Sequence, residues 1–94
     1  MITNYNDYCL ICGRPRDDMH HIFKGHKQRH IATDDELLIP LCRDHHEAIH
    51  KRQELNILCE IIGQLAYEKT RCSEGMSPDE ARETFRTRYG RSYL

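Results

Sequence analysis

Two short pairs of metal-binding residues constrain the fold of this chain more than any other feature. Cys9 and Cys12 form a C-x-x-C pair, and Cys42 and His45 form a C-x-x-H pair further along the chain. Thiolate and imidazole donors in two close pairs are the arrangement that tetrahedral zinc favours. Since protein groups would fill all four positions, such a site leaves none open for a substrate. We therefore predict a structural zinc site that connects two separate stretches of the chain.

A second histidine directly after the C-x-x-H pair leaves the fourth zinc ligand open between two candidates. Either His45 or His46 could complete the zinc shell. The spacing from Cys42 to His45 matches a zinc knuckle, whereas His46 and His50 are four residues apart and would share one face of a helix. The spacing therefore favours His45.

The size of the chain explains why it would need a metal. With 94 residues, 38% of them hydrophobic and none of them Trp, it can bury only a small core. Residues 1–8 lack the features of a signal peptide and no apolar run could span a membrane, so we expect a cytoplasmic protein. In that reducing environment, cysteines in this spacing bind metal rather than form disulfides. We expect Cys59 to be a buried helix thiol and Cys72 a loop thiol without a role.

Apolar runs and breaker residues predict the first elements. Residues 20–23 and 37–41 have the composition of two short strands, with Pro40 weakening the end of the second and a polar loop of about 13 residues between them. After Cys42 the spacing changes to that of a helix, which should continue to about Lys51.

The remaining residues predict two further helices in a single domain. The longer one covers residues 55–69, and its apolar residues recur at three- and four-residue spacing, as expected of a core or dimer surface. The last helix begins at Ser77 with Pro78 and Glu80 in its first turn and ends at Gly90. We predict one domain over residues 1–94, with a zinc-containing part at 9–52 and a helical extension at 53–94. The apolar residues of the longer helix are Leu55, Leu58, Ile61, Ile62, Leu65 and Ala66.

Outside the loop at 24–30, four histidines remain after the zinc ligands are assigned. They are His20 and His21 in the first strand and His46 and His50 in the helix. Adjacent strand residues point to opposite sides, so His20 and His21 should not both join the helix pair on one metal. One of the two can be a third ligand, and the other can act as a general base.

These motifs resemble the HNH, or ββα-metal, nucleases, particularly the zinc-containing forms of phage and bacterial genomes. The resemblance covers residues 9–50. It implies a small α+β, ββα-metal (treble-clef-like) fold with a zinc-bound hairpin and helix, and the two helices predicted above would follow it at the C-terminal end. It also implies an endonuclease that hydrolyses DNA phosphodiester bonds, with His21 as the general base. The implied ligands of a catalytic Mg²⁺, Mn²⁺, Ni²⁺ or Zn²⁺ ion are His20, His46 and His50.

The chain departs from the family pattern at one position. The family's middle Asn precedes the second strand, where this sequence has Glu36 or Leu37. Because that Asn orients the base, the departure bears on activity and leaves two alternatives open. One is a zinc module without nuclease activity that binds DNA or a protein partner. The other is an interaction protein that forms a homodimer through helix 55–69.

Basic residues predict where DNA would bind, although the net charge of the chain is −1. Residues 24–30 contain three basic residues, two histidines and no acid, and residues 82–91 contain four arginines against one acid. Local basic surfaces of this kind are what phosphate contacts require. We expect phosphate contacts from Lys24, Lys27 and Arg29, with a second track along Arg82, Arg86 and Tyr89 as an alternative to a plain surface helix.

Overall fold

The computed structural model describes residues 2, 3, 5–23 and 26–94, without the side chains of residues 26 and 27. In this described part the fold is a small α+β arrangement of one two-stranded antiparallel sheet and four helices. None of these helices combines the length and apolar character needed to cross a lipid bilayer. The elements in chain order are β1 (Asp18–His21), α1 (His26–Asp34), β2 (Leu38–Leu41), α2 (Arg43–Lys51), α3 (Gln53–Ser73) and α4 (Pro78–Tyr89).

The register of the sheet decides which side chains of β1 share a face. Asp18 pairs with Leu41 and His20 pairs with Ile39 across the two strands. Side chains alternate along a strand, so Asp18 and His20 lie on one face while His21 lies on the other. The sequence prediction that the two adjacent histidines separate therefore agrees with the observed strand.

The segment between the strands was predicted to be a polar loop, and that prediction is wrong because the segment contains α1. This helix has no acidic residue in its first turn and no basic residue in its last turn, so local sequence signals for it are weak. Tertiary contacts hold it instead. Ala32 is completely buried, and Gln28 Nε2 donates a hydrogen bond to the carbonyl oxygen of Tyr89 at 2.9 Å.

The predicted helices α2, α3 and α4 are present with small differences in their ends. At the start of α4, the Ser77 hydroxyl accepts a hydrogen bond from the backbone N–H of Glu80 at 3.2 Å, as the capping pattern predicts. Gly90 ends the helix in the left-handed conformation, with φ of 86°. Cys59 is buried as expected, whereas Cys72 lies in the last turn of α3 and not in a loop.

An aromatic core joins the end of β1 to the two C-terminal helices. Phe23 and Phe85 are completely buried, with ring centroids 5.6 Å apart. A Cβ atom at Gly63 of α3 would lie 3.1 Å from atoms of Phe23, so glycine permits the helix to pack closely there. The core therefore fixes α3 and α4 against the segment that follows the two β1 histidines.

The second predicted DNA track combines one buried residue, Tyr89, with two exposed arginines, Arg82 and Arg86. Tyr89 is 2% exposed, and its hydroxyl donates a hydrogen bond to Asp35 at 2.6 Å. Two arginines of the track have carboxylate partners, which reduces the positive charge that they offer to phosphate. These ion pairs are Arg82 with Glu68 and Arg86 with Glu83, each at 3.4 Å.

The apolar stripe of α3 divides between the core and the surface. Leu55 and Ala66 pack against the core. By contrast, Leu58 is 55% exposed, Leu65 is 50% exposed and Ile62 is 41% exposed. The buried face of α3 consists instead of Cys59, Gly63, Gln64, Tyr67 and Glu68.

Candidate functional site

The first cysteine pair lies in a tight knuckle before β1. Gly13 has φ of 76°, a conformation that disfavours other residues, and its N–H donates to the Cys9 carbonyl at 2.9 Å. The N–H of Leu10 donates to the Pro40 carbonyl at 2.9 Å, which joins the knuckle to β2. The knuckle is thereby held beside the start of α2.

The second pair lies at the start of α2. Cys42 directly precedes the helix, and His45 lies in its first turn. The side chain of Asp17 accepts a hydrogen bond from the N–H of Arg43 at 2.7 Å, satisfying one of the free donors at this helix end. This carboxylate lies just before β1, so it also ties the sheet to α2.

The four predicted zinc ligands lie close together and could bind a metal ion. Their donor atoms all lie within 4.8 Å of one another. Cys12 Sγ is 3.8 Å from Cys42 Sγ, and His45 Nδ1 is 3.2 Å from Cys42 Sγ and 3.7 Å from Cys9 Sγ. Sulfurs bound at zinc–thiolate length on a tetrahedral ion would be roughly 3.8 Å apart. His45 therefore fits this cluster, and the spacing argument for it over His46 agrees with the geometry.

Arg14 lowers the pKa of Cys12, the one exposed thiol of this cluster. The backbone N–H of Arg14, followed by its guanidinium, lowers the pKa of Cys12 from 9.0 to about 6. The Nε atom of Arg14 lies 3.4 Å from Cys12 Sγ. Cys12 is therefore largely a thiolate at neutral pH, which is the form that binds metals.

A second cluster joins β1 to α2. The ring nitrogens of His20, His46 and His50 form a group whose donor atoms all lie within 4.8 Å of one another. The ring centroids of His46 and His50 are 4.8 Å apart, as expected for residues one helical turn apart. His20 is 3% exposed, whereas His50 is exposed, so the cluster opens from the protein interior toward solvent. Three imidazoles in this arrangement could hold one metal ion and leave further positions for a substrate or water.

Asp18 supports this second cluster and was missed by the sequence analysis. Its Oδ2 atom lies 3.1 Å from Nδ1 of His46. Because the carboxylate accepts this hydrogen bond, the Nδ1 atom of His46 carries the proton and Nε2 keeps its lone pair for a metal. The D-x-H-H spacing could have indicated Asp18, since residues two apart on a strand share a face.

His21 lies outside the second cluster and contacts α1. Its Nε2 atom is 3.1 Å from the Thr33 hydroxyl, which donates its own proton to the Arg29 carbonyl at 2.9 Å. Burial, and then the charge of Arg29, lower the pKa of His21. The side chain lines an open cleft of about 290 Å³ with Arg29, His30 and Thr33. The sequence analysis also missed Thr33, because α1 itself was not predicted.

Only one of the three predicted phosphate-binding residues can be placed. Arg29 is exposed and lines the cleft beside His21. Lys24 and the side chain of Lys27 lie outside the described residues. Arg29 is therefore the one predicted phosphate-binding side chain that the structure locates in the cleft, beside His21, the predicted general base.

Glu36 and Leu37 occupy the place of the middle Asn of the HNH family, and both form backbone hydrogen bonds here. Glu36 adopts φ of 58°, and its N–H donates to the Thr33 carbonyl at 3.1 Å. Leu37 is buried, and its N–H donates to the Ala32 carbonyl at 2.8 Å. Backbone hydrogen bonds therefore close the connection from α1 to β2 without an Asn side chain.

One family model covers the part of the chain that holds both clusters. The model of a family described as "Protein of unknown function (DUF968)" matches residues 5–56. A curated relative, "Uncharacterized protein YdfU" of Escherichia coli (strain K12), is 46% identical over 44 residues. The matched segment is 45% of this chain and 12% of the relative, so the chain spans a small part of the relative's length. No solved structure matches.

Proposed function

The chain belongs to the DUF968 family, whose function is unknown, and we propose from its site that it is a metal-dependent HNH-type DNA endonuclease. The observation that carries this proposal is the cluster of His20, His46 and His50 with His21 on the opposite face of the same strand. Three imidazole ligands beside a separate imidazole base are a suitable set for metal-assisted phosphodiester hydrolysis.

The proposed fold assignment follows from the elements around the clusters. We assign β1, β2 and α2 to a ββα-metal unit, in which Cys9, Cys12, Cys42 and His45 hold a structural Zn²⁺ ion. This ion would fix α2 against the knuckle. The two strands and α2 would then hold the second cluster in place. In this proposal α3 and α4 are an extension that supports the unit through the aromatic core.

The second cluster would hold the catalytic ion. A set of imidazole ligands favours Mn²⁺, Ni²⁺ or Zn²⁺ over Mg²⁺. A divalent ion supplies stabilisation of the negative charge that develops on the phosphate and on the departing 3′ oxygen. The contact of Asp18 with Nδ1 of His46 would leave Nε2 free to bind the ion, and His20, which is buried, would supply the ligand on the interior side.

His21 would accept the proton from the attacking water. The single hydroxyl proton of Thr33 is donated to the Arg29 carbonyl, so Thr33 accepts a hydrogen bond from His21 Nε2–H. The basic lone pair of His21 is then on Nδ1. Thr33 thereby supplies an orienting contact of the kind that the missing Asn provides in the family.

Arg29 supports a DNA substrate at this position. Its side chain is exposed beside His21, where it would contact a phosphate that flanks the scissile bond. Such a contact contributes affinity that does not depend on base sequence.

The contact between Thr33 and His21 predicts that a substitution at Thr33 changes the orientation of the His21 ring without changing the fold. We expect Thr33→Val to lower the cleavage rate by about tenfold, a part of the 10²–10⁴-fold that general-base catalysis contributes. Thr33→Ser, which keeps the hydroxyl, should cleave at nearly the wild-type rate. Nitrogen-15 NMR of the imidazole should report Nε2–H for His21 in wild type and a mixture of tautomers in Thr33→Val. Wild-type spectra with the proton on Nδ1 would contradict this assignment.

Cleavage of supercoiled plasmid by the purified protein tests the proposed activity directly. Nicked and linear products should appear with Mn²⁺ or Ni²⁺ and be fewer with Mg²⁺. A His46→Ala protein purified in the same way controls for contaminating nucleases. Binding of DNA without cleavage under Mg²⁺, Mn²⁺, Ni²⁺ and Zn²⁺ would favour the second candidate, a DNA-binding module without nuclease activity. The absence of an Asn side chain at residues 36 and 37 is the observation that favours this candidate.

A further inference from the structure

An exposed apolar strip runs along α3 on the side that faces away from the core. It consists of the exposed Leu58, Ile62 and Leu65 and the half-buried Ile61, which together we call the outer ridge. Its most exposed members, Leu58 and Leu65, have about half of their surface accessible to solvent, at 55% and 50%. Ile57 extends the strip on one side and is 43% exposed. Several large aliphatic side chains exposed together on one helix face are typical of an interaction surface.

The geometry points to a second copy of this chain as the partner of the outer ridge, with the two α3 helices antiparallel. Successive residues of a helix are separated by roughly 100° around its axis. Leu58 and Leu65 are seven residues apart, which is close to two full turns, so they lie on one line along the helix surface. Ile61 and Ile62 lie on either side of this line. The buried residues Gly63 and Tyr67 lie on the opposite side of the helix.

The outer ridge is symmetric about its own midpoint. The midpoint lies between Ile61 and Ile62, and Leu58 and Leu65 are equally far from it along the chain. In an antiparallel pair with a two-fold axis at this point, each Leu58 would face Leu65 of the second copy. A two-fold interface must be complementary to itself, and the ridge meets this condition.

Charges at the two ends of the ridge favour the same arrangement. Glu54 and Lys69 are exposed and lie at equal distances outside the midpoint, on the same side of α3 as the ridge. The two-fold axis would place Glu54 of each copy opposite Lys69 of the other, whereas a parallel pair would place like charges together. Opposite charges at the edge of an apolar seam set the orientation of paired helices. Because the ridge itself carries no charge, it does not suit phosphate binding.

The first test is the mass of the zinc-loaded protein in solution. Sedimentation equilibrium of the 11.2 kDa chain should give twice that mass at concentrations of tens of micromolar or above. Leu58→Gln combined with Leu65→Gln should give the monomer mass at the same concentrations. The matched control is Leu10→Gln combined with Ile11→Gln, because these two knuckle residues are similarly exposed and lie outside α3. The control should remain dimeric, and the ridge variant should keep the zinc content and helical circular dichroism of wild type.

A charge exchange tests the antiparallel register. Glu54→Lys and Lys69→Glu should each weaken the dimer by about tenfold or more in dissociation constant, because each places like charges opposite each other. The double variant should restore the wild-type constant. Since Glu54 also pairs with Arg52 in its own chain at 2.9 Å, the measurement compares all three variants with wild type.

Three results would overturn the inference. A wild-type protein that stays monomeric up to millimolar concentration would show that something other than a second copy covers the ridge. A dimer that survives both leucine substitutions would place the interface elsewhere. A double charge variant as weak as the single ones would exclude the antiparallel register. Each result is independent of whether the protein cuts DNA.

Discussion

Cys42→Ser is expected to remove the proposed structural zinc and leave the chain largely unfolded. Zinc bound by four protein ligands contributes on the order of 10 kcal/mol to the folding of small domains. That is comparable with the whole free energy of unfolding of a typical domain, which is about 5–15 kcal/mol. Cys42 is 5% exposed and has its sulfur within 4 Å of two other donors of the cluster, so a hydroxyl at this position cannot replace it.

Metal analysis and circular dichroism measure this effect together. Wild type should retain about one zinc per chain after dialysis and lose its helical signal when a strong chelator removes the metal. Cys72→Ser is the matched control, because Cys72 lies at the end of α3 outside both clusters. It should keep the zinc and the melting temperature of wild type. A Cys42→Ser protein that melts like wild type would end the structural-zinc proposal.

The second large effect is expected at His21, which we assign to neither metal. His21→Ala should lower plasmid cleavage by about 10²-fold or more, the scale of losing a general base. Its zinc content, melting temperature and DNA affinity should stay close to those of wild type, since the side chain is only partly buried and contacts Thr33 alone among the hydrogen bonds described. Single-turnover cleavage at saturating DNA separates the chemical step from binding.

His50→Ala provides the comparison that makes the His21 result informative. This variant should also keep the zinc and the fold, because His50 is exposed and belongs to the second cluster. It should lose cleavage together with the second, exchangeable ion, which calorimetric titration with Mn²⁺ or Ni²⁺ can measure. His21→Ala should still bind that ion. If His21→Ala cuts plasmid as fast as wild type, the base is a different residue.

Residues whose partners lie nearby in the sequence were predictable, and this explains why the metal clusters were found. Cys9 and Cys12 belong to one turn, and His46 and His50 belong to one helix face, so spacing shows each local pair. The choice of His20 as the partner of the helix pair came from the resemblance to the HNH nucleases. The capped start of α4 at Ser77 was predictable for the same reason, since the cap and its partner Glu80 are three residues apart.

The features that were missed depend on contacts between distant segments. Asp18 contacts His46, which is 28 residues further along the chain. Helix α1 depends on the burial of Ala32 and on the bond from Gln28 to the end of α4, and neither is visible in a local pattern. The three- and four-residue spacing of apolar residues on α3 indicated an amphipathic helix, but it did not indicate which face enters the core. Cys59, Gly63, Gln64, Tyr67 and Glu68 define that face, and Leu58, Ile62 and Leu65 remain outside it.

Helix α2 carries donors for both clusters on consecutive residues, His45 and His46. An ion bound at His45 would therefore fix the position and rotation of the helix turn from which His46 and His50 extend. Affinities for the two ions should then be thermodynamically coupled, and such coupling is reciprocal. Filling the histidine cluster should slow the extraction of zinc by a chelator, while partial loss of zinc should weaken the binding of the second ion. In a cell that is short of zinc, this protein would thus need a higher concentration of the other metal to fill its histidine cluster.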